Sequence, residues 1–217
     1  MRTPSRERWH YFVGVDLGKR RDCTAVVVVE QSVTVFPGER DWVTYECRRE
    51  QMHWVRFVER MPRGLLYTAV VGRLGRILRS PELAGRCTVV MDATGVGEAV
   101  VDLARAEQAE RPHWAFVPVT ITGAGKAHAE GRQWRVPKQD LMEGLVVMLE
   151  RGSLRIPGRL RGRQTLLEEL RQARVKVSAS GRRQYGAWGP GEHDDLTMAL
   201  ALACWRADTR AAATVPP

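Results

Sequence analysis

Apolar segments near the start of the chain predict neighbouring β-strands. Residues 11–17 (YFVGVDL) form a short apolar run, and residues 24–30 (TAVVVVE) are almost wholly β-branched and apolar. Residues 33–36 are expected to continue the second strand or to pair again with it. The PGERD turn at 37–41 precedes a third expected strand over 42–47. Because the reversals are tight, the pattern predicts an antiparallel meander.

Beyond residue 60 the hydrophobic spacing alternates between helical and strand-like segments. Helices are predicted over 64–79, 96–108, 137–152, 165–175 and 193–206, and strands over 88–91, 114–119 and 154–156. The Gly-rich segment 121–134 is predicted to be a mobile loop, and the polar segment 178–188 to be a hairpin.

This order of elements predicts an α/β fold. An antiparallel three-strand meander is followed by parallel strands in one mixed sheet, with helices on both faces. The length of 217 residues is that of one domain. We assign the domain to residues 11–206, after a basic arm at 1–10 and before a flexible tail at 207–217.

The charge balance favours a nucleic-acid partner. Lys and Arg together number 34 against 25 Asp and Glu, which leaves a net charge of +9. Only four of the basic residues are Lys, so 30 are Arg. Arg binds phosphate with two parallel hydrogen bonds and stacks on bases. The alternative is a GC-rich genome that writes Arg in place of Lys.

Cysteine spacing and hydropathy exclude several function classes. No two of the four Cys residues lie within four positions of each other, so neither a zinc knuckle nor a redox pair is expected. The longest apolar-rich run, about residues 196–205, is far shorter than the roughly 18 residues that span a bilayer. The first ten residues contain no apolar stretch of a secretory signal. The sequence therefore predicts no membrane association and a reducing, cytoplasmic setting.

Acidic residues interrupt or end apolar segments at three places. Asp16 lies late in the first predicted strand, Asp92 follows the strand at 88–91, and Asp194 and Asp195 begin the last predicted helix. An ionised Asp beside a buried strand is costly unless it is paired or bound to a metal. Structural explanations also exist, because Asp194 or Asp195 can serve as an N-cap and Asp92 can start a turn.

These acidic residues meet if the two strands are neighbours. Asp16 and Asp92 then point to one edge of the sheet, and the last helix can bring Asp194 and Asp195 to the same place. Clustered carboxylates repel one another unless divalent cations compensate, and such hard oxygen ligands suit Mg²⁺ or Mn²⁺. Two ions about 3.5–4 Å apart support phosphodiester hydrolysis. The pattern thus predicts a two-metal site that acts on phosphodiesters.

Five sequence blocks carry a family resemblance. In chain order they are GVDLGKRRDCTAVVVVE, VVMDATGVGEAVVDLA, VPVTITGAG, VPKQDLMEGLVVMLERGSLRIP and EHDDLTMALALA. Together they resemble the nuclease domain of phage large terminases over residues 11–206. That family has an RNase H-like fold related to Holliday-junction resolvases. The resemblance implies a metal-dependent endonuclease that cuts double-stranded DNA.

The resemblance also implies roles for the acidic residues. Asp16, Asp92 and Asp195 would be the catalytic metal ligands of two Mg²⁺ or Mn²⁺ ions, and Asp194 an additional or alternate ligand. The neighbouring His193 either orients a carboxylate or a water, or merely caps the helix.

Basic residues are candidates for holding the DNA. Lys138 in VPKQDL matches a basic position of the family, which implies a phosphate contact, although an exposed Lys in a first helical turn is the simpler explanation. A basic loop either guides the phosphate backbone or is only solvated, and it contains Lys126, Arg132 and Arg135. An Arg stripe is either a solvated face or a DNA track, and it comprises Arg56, Arg60, Arg63, Arg73, Arg76 and Arg79.

The chain departs from the family in one respect. A whole large terminase carries an N-terminal ATPase, whereas this chain begins almost directly on the first nuclease strand. The nearest match to a phosphate-binding loop fails, because Thr120 replaces the first Gly and Ala127 replaces the Ser or Thr that holds Mg²⁺. We therefore expect no motor of its own. The implied protein partners are a separate packaging ATPase, a small terminase subunit or a portal protein, in the cytoplasm of a bacterial host of a phage or prophage.

Two other functions fit parts of the sequence. A non-catalytic DNA-binding or motor-docking module with the same fold would explain the basic charge and the missing ATPase, but not the complete acidic set. An actin-like or sugar-kinase ATPase shares a related strand core, but it needs a second nucleotide-binding half. Metal-dependent cleavage of plasmid DNA distinguishes the first of these from a nuclease, and nucleotide-binding calorimetry tests the second.

Overall fold

The computed structural model describes residues 5–18, 22–95, 98–110, 113–177, 183–186 and 193–213. Most of its strands form one eight-stranded sheet. These strands are β1 Ser5–Asp16, β2 Ala25–Arg40, β3 Cys47–Arg60, β4 Cys87–Asp92, β5 Trp114–Thr122, β6 His128–Glu130, β7 Gln133–Pro137 and β8 Leu154–Arg155. Their order across the sheet is β6-β7-β5-β4-β1-β2-β3-β8. A separate ribbon pairs β9 Arg174–Val177 with β10 Arg183–Gly186.

The sheet is mixed, as the hydrophobic pattern predicts. Strands β1, β2 and β3 pair antiparallel as a meander, and β1 then pairs in parallel with β4. The parallel half continues from β4 to β5 and from β5 to β7. Parallel pairing brings the carboxyl ends of β1 and β4 side by side at one edge of the sheet.

Helices cover both faces of this sheet. The described residues contain α1 Tyr67–Leu78, α2 Glu98–Glu110, α3 Lys138–Glu150, α4 Arg163–Gln172 and α5 Asp195–Ala213. Successive side chains of β1 enter opposite cores, because strand residues alternate between faces. Phe12 joins the core formed with α3, α4 and α5, whereas Val13 and Val15 join the core formed with α1 and α2. The predicted α/β class with helices on both faces is confirmed.

Helix α5 lies directly against the backbone of β1. A Cβ atom at Gly14 would stand only 1.8 Å from the carbonyl oxygen of Ala199, so the absence of a side chain permits this approach. The helix residues on this side are small or apolar, and Ala199, Ala203 and Ala207 are fully buried. Within the described ranges, no helix is both long and apolar enough to cross a membrane.

Several element predictions are wrong. Residues 37–40, expected in a turn, belong to β2, and residues 174–175, expected at the end of a helix, belong to β9. The expected strand over 42–47 is mostly the turn between β2 and β3, since residues 42–44 form a turn and β3 begins only at Cys47. The Asp41 side chain accepts hydrogen bonds from the backbone N–H groups of Val43 and Thr44, at 2.9 and 2.8 Å, and so stabilises this turn. Trp42 consequently points into solvent, with 93% of its surface exposed.

The segment 121–134 is also not a continuous loop. It includes the last residues of β5, the three-residue strand β6 and the start of β7, which pairs with both. Strand β1 begins at Ser5 and α5 extends to Ala213, so regular structure enters the segments assigned to the arm and the tail. The division into arm, domain and tail itself stays a prediction. Of the hairpin expected over 178–188, only residues 183–186 lie within the described part of the chain.

Candidate functional site

Four predicted carboxylates line one cavity at the carboxyl edge of the parallel strands. The cavity has a volume of about 370 Å³, and its walls include Asp16, Asp92, Asp194 and Asp195. Val15 of β1 pairs with Met91 of β4. The residues that follow them, Asp16 and Asp92, therefore lie next to each other. Three segments far apart in the sequence thus contribute acidic side chains to one space.

The two aspartates at the start of α5 have different environments. Asp194 accepts a hydrogen bond from the Lys138 ammonium group at 2.8 Å, and both side chains are about one-third exposed. Asp195 is only 8% exposed. Its Oδ2 atom has no hydrogen-bond partner among the described residues. The basic groups near that oxygen, Arg60 Nε and His193 Nδ1, are both 3.9 Å away.

Burial and like charge act together on this group of carboxylates. Burial raises the pKa of Asp16 well above its ordinary value, and the charges of Asp92, Asp195 and Asp194 raise it further, while Lys138 opposes them. Burial likewise raises the pKa of Asp195, against the opposing effects of Arg60 and His193. The described residues of the cavity wall include five acidic side chains against the basic Lys138 and His193.

The donor set fits a hard divalent cation. Carboxylate oxygens are the ligands that Mg²⁺ and Mn²⁺ prefer, and the buried Oδ2 of Asp195 is an oxygen that lacks a described partner. Across the described residues, no three His, Cys, Asp or Glu side chains are already grouped closely enough to hold one ion. The carboxylates repel one another, and Asp194 is held in an ion pair with Lys138. Both effects are consistent with carboxylates that stand apart.

The predicted basic residues are divided between the cavity and the sheet edge. Lys138 lines the cavity, as does His193, whose Nε2 lies 3.0 Å from the Arg63 guanidinium. Lys126 and Arg132 are exposed around the β6–β7 hairpin, and they are not among the described residues of the cavity wall. Arg135, on β7, forms an ion pair with Glu130 of β6. A role in DNA binding for these residues stays a prediction.

The Arg stripe is largely engaged within the protein. Arg56 pairs with Glu30, and Arg73 pairs with Glu59. Arg60, the last residue of β3, pairs with the buried Glu169 of α4 rather than facing solvent alone. Arg56, Arg63, Arg76 and Arg79 are nevertheless exposed, and whether the stripe is a solvated face or a DNA track stays a prediction.

Sequence reasoning missed two acidic residues near this site. Asp22 lines the cavity as well, and its position in the charged turn after the first strand was an available signal. Glu169 had no such signal, because it lies in a helix of mixed charge and meets the start of α5 only in the folded chain.

The chain is similar to large terminases. No protein-family model matches it. It is 28% identical to the large terminase subunits of Thermus phage G20c and of Thermus virus P23-45. Each match covers 193 residues, or 89% of this chain, but only 31% of the relative. The chain thus spans about a third of the length of these relatives.

Solved structures agree in fold. The large terminase nuclease of phage G20c with bound magnesium is 27% identical, with a TM-score of 0.57 over 90% of this chain and 80% of that one. The Mn-soaked human cytomegalovirus terminase nuclease domain is 11% identical, with a TM-score of 0.53 over 91% and 83% of the two chains. The nuclease domain of the large terminase subunit of bacterial virus Sf6 is 11% identical, with a TM-score of 0.58 over 90% and 87%. The chain is therefore similar in sequence to the phage large terminases over most of its own length, and it has the RNase H-like fold of their nuclease domains.

Proposed function

We propose that this chain is a divalent-metal-dependent endonuclease of the terminase type, which hydrolyses phosphodiester bonds of double-stranded DNA. The observation that carries the proposal is the meeting of Asp16, Asp92, Asp194 and Asp195 in one cavity. The homology to large terminases and the magnesium bound to the G20c nuclease support the same activity.

The four aspartates are the proposed ligands of two Mg²⁺ or Mn²⁺ ions. Such ions, when bound, activate water and neutralise the charge that develops on the leaving oxygen. The raised pKa of Asp16 supports this assignment, because its causes are burial and neighbouring carboxylates that a divalent cation would offset.

The remaining residues of the cavity position the substrate. The Lys138 ammonium group lies at the rim and is the group best placed to exchange its ion pair with Asp194 for a contact with the scissile phosphate. His193 lines the cavity and contacts the exposed Arg63 guanidinium, whose remaining N–H groups can hold a neighbouring phosphate. Hydrolysis then joins a water oxygen to phosphorus and releases the sugar oxygen with a proton, without a covalent enzyme intermediate.

Replacing Asp16 by Asn tests the proposed site. The substitution keeps the size of the side chain and removes its charge, so we expect nicking of supercoiled plasmid in Mn²⁺ to fall to the background level. The matched control is Asp102→Asn, which makes the same chemical change at a largely exposed position of α2. We expect that control to cleave like the parent chain. Full activity in Asp16→Asn would reject the assignment.

The net charge of +9 also supports the alternative of a non-catalytic DNA-binding or motor-docking module. This module would retard DNA in a gel-shift assay and leave plasmid intact at every Mn²⁺ concentration. The nuclease would cut, and chelation by EDTA would stop the cut.

The wider role of the chain also belongs to the proposal. A separate packaging ATPase, a small terminase subunit and a portal protein are the proposed partners, in the cytoplasm of a bacterial host. The expectation that the chain works without an ATPase motor of its own stays a prediction. Co-purification with an ATPase encoded nearby would support it.

A further inference from the structure

A buried glutamate of α4 caps the first turn of α5. Glu169 is 4% exposed, and its Oε2 atom accepts hydrogen bonds from the backbone N–H groups of Leu196 and Thr197 at 2.9 and 3.0 Å. The first N–H groups of a helix have no partner within the helix, and a carboxylate is a strong acceptor for them. The cap of α5 therefore comes from another helix, 27 residues earlier in the chain.

The same carboxylate is tied to the end of strand β3. Its Oε1 atom accepts a hydrogen bond from the Arg60 guanidinium. Arg60 Nε in turn lies 3.9 Å from Asp195 Oδ2. Neither of those two atoms has a hydrogen-bond partner among the described residues. Buried charge is tolerated when it is paired and hydrogen-bonded, and Glu169 meets both conditions.

The cap decides what the neighbouring aspartates are free to do. The residue just before a helix, here Asp194, ordinarily turns its carboxylate back to accept the N–H groups of the second and third helical residues, here Leu196 and Thr197. Here Glu169 accepts the hydrogen bonds of Leu196 and Thr197. Asp194 is thereby released from the capping role and accepts a hydrogen bond from Lys138 instead. The adjoining Asp195 lines the cavity, and its buried Oδ2 atom has no described partner.

We propose that Glu169 is a positioning residue for Asp195: by capping the first turn of α5 in place of Asp194, and by holding Arg60 beside Asp195, it keeps the Asp195 carboxylate at the cation site. The inference rests on the proposed function, because it takes Asp195 to be a metal ligand. Glu169 itself is not among the residues that line the cavity, within the part of the chain that the structure describes.

Metal affinity measured without DNA tests this role. Calorimetric titration of the full chain with Mn²⁺, at a temperature where circular dichroism reports a folded protein, gives a dissociation constant for the folded state alone. We expect Glu169→Ala to weaken Mn²⁺ binding by about 10–100-fold, as is usual when a residue that orients a ligand is lost. The matched control is Glu168→Ala, which removes an exposed carboxylate from the same helix and should bind Mn²⁺ like the parent.

A conservative variant keeps the test decisive if Glu169→Ala fails to fold. Glu169→Gln retains one oxygen that can accept the helix N–H groups but loses the charge that holds Arg60. We expect it to fold and to bind Mn²⁺ with an affinity between those of the parent and the alanine variant. Parent-like Mn²⁺ affinity in a folded Glu169→Ala or Glu169→Gln variant, even with lower thermal stability, would overturn the positioning role and leave the cap purely structural.

Failure of the proposed function has a different signature. In that case the parent chain itself neither binds Mn²⁺ nor cuts plasmid, and no ligand remains for Glu169 to position. If the parent binds and cuts while the folded Glu169 variants do so equally well, the nuclease assignment stands and the inference about Glu169 is rejected.

Discussion

The polar groups at the two ends of helix α5 have opposite environments: carboxylates are clustered at one end, and neutral side chains are hydrogen-bonded near the other. At its start, the like-charged Asp194 and Asp195 line one cavity together with Asp16 and Asp92. Near its other end, the Gln31 side chain donates hydrogen bonds to the Ala207 carbonyl oxygen at 3.0 Å and to a ring nitrogen of His53 at 3.1 Å.

The difference lies in charge as well as in hydrogen bonding. Gln31 and His53 are 7% and 2% exposed, and burial lowers the pKa of His53, so this pair is neutral. The other ring nitrogen of His53, Nδ1, has no partner within the described residues, but a neutral ring tolerates this better than a carboxylate does. Uncompensated charge is thus concentrated at the end where we propose that cations bind.

The body of the helix tolerates this repulsion because it packs against the sheet without a gap. Leu200, Ala201 and Leu202 are fully buried, and the helix contacts the backbone of β1 at Gly14. Packing along the helix offsets the unfavourable electrostatics of its first turn. This contrast between the two ends leads to three predictions about stability.

The largest effect is expected at Gly14, where α5 packs directly against the backbone of β1. In Gly14→Ala the new methyl group would meet the Ala199 backbone at 1.8 Å, and backbone atoms cannot rotate away. We expect a loss of about 3 kcal/mol or more in the free energy of unfolding, the upper range for overpacked cores. Urea denaturation followed by circular dichroism measures it.

Gly144→Ala is the matched control for Gly14. This glycine lies in α3, where an added Cβ atom would have no described atom within 4 Å outside its own helix backbone, and its φ angle is not positive. Its replacement should be neutral or stabilise the helix by up to about 1 kcal/mol. If Gly14→Ala unfolds at the same urea concentration as the parent, α5 does not depend on its contact with β1.

Local sequence patterns predicted the central strands of the sheet and the acidic residues at their ends. The β-branched run of β2 and the apolar run of β1 are strong signals, and Asp16 and Asp92 stand where such runs end. The short strand β6 gives too few residues for a period-two pattern. Glu169 is invisible in sequence, because its function depends on a tertiary contact between α4 and α5 that no local spacing encodes.

A smaller effect is expected when Asp16 loses its charge in the metal-free protein. Because the pKa of Asp16 is raised in the fold, the folded state keeps its proton to a higher pH than the unfolded state does. Its contribution to stability is therefore lost as the pH rises from about 4 through the raised value. We expect Asp16→Asn to unfold at a higher temperature than the parent in EDTA at pH 7–8.

The gain should be about 1–3 kcal/mol, the range for an uncompensated buried polar or charged group. That amounts to roughly 2–4 °C per kcal/mol for a chain of this size. The advantage should shrink towards pH 4, and Mn²⁺ should raise the melting temperature of the parent but not of the variant. Thermal scans with EDTA or Mn²⁺ at several pH values measure both effects, and a variant that melts below the parent at pH 8 in EDTA would contradict the assigned repulsion.

The smallest effect is expected at Gln31, near the far end of α5. Gln31→Met keeps the approximate volume of the side chain but removes the donor to Ala207 and His53. We expect a loss of about 1 kcal/mol, the net value of a buried hydrogen bond between neutral groups. The Mn²⁺ dissociation constant should not change, because Gln31 is not among the described residues of the cavity wall. Calorimetry at pH 7–8, where His53 stays neutral in both proteins, isolates this comparison. A weakened Mn²⁺ affinity in Gln31→Met would mean that the two ends of α5 are coupled through the helix, and that packing along its body does not shield the site from changes at the far end.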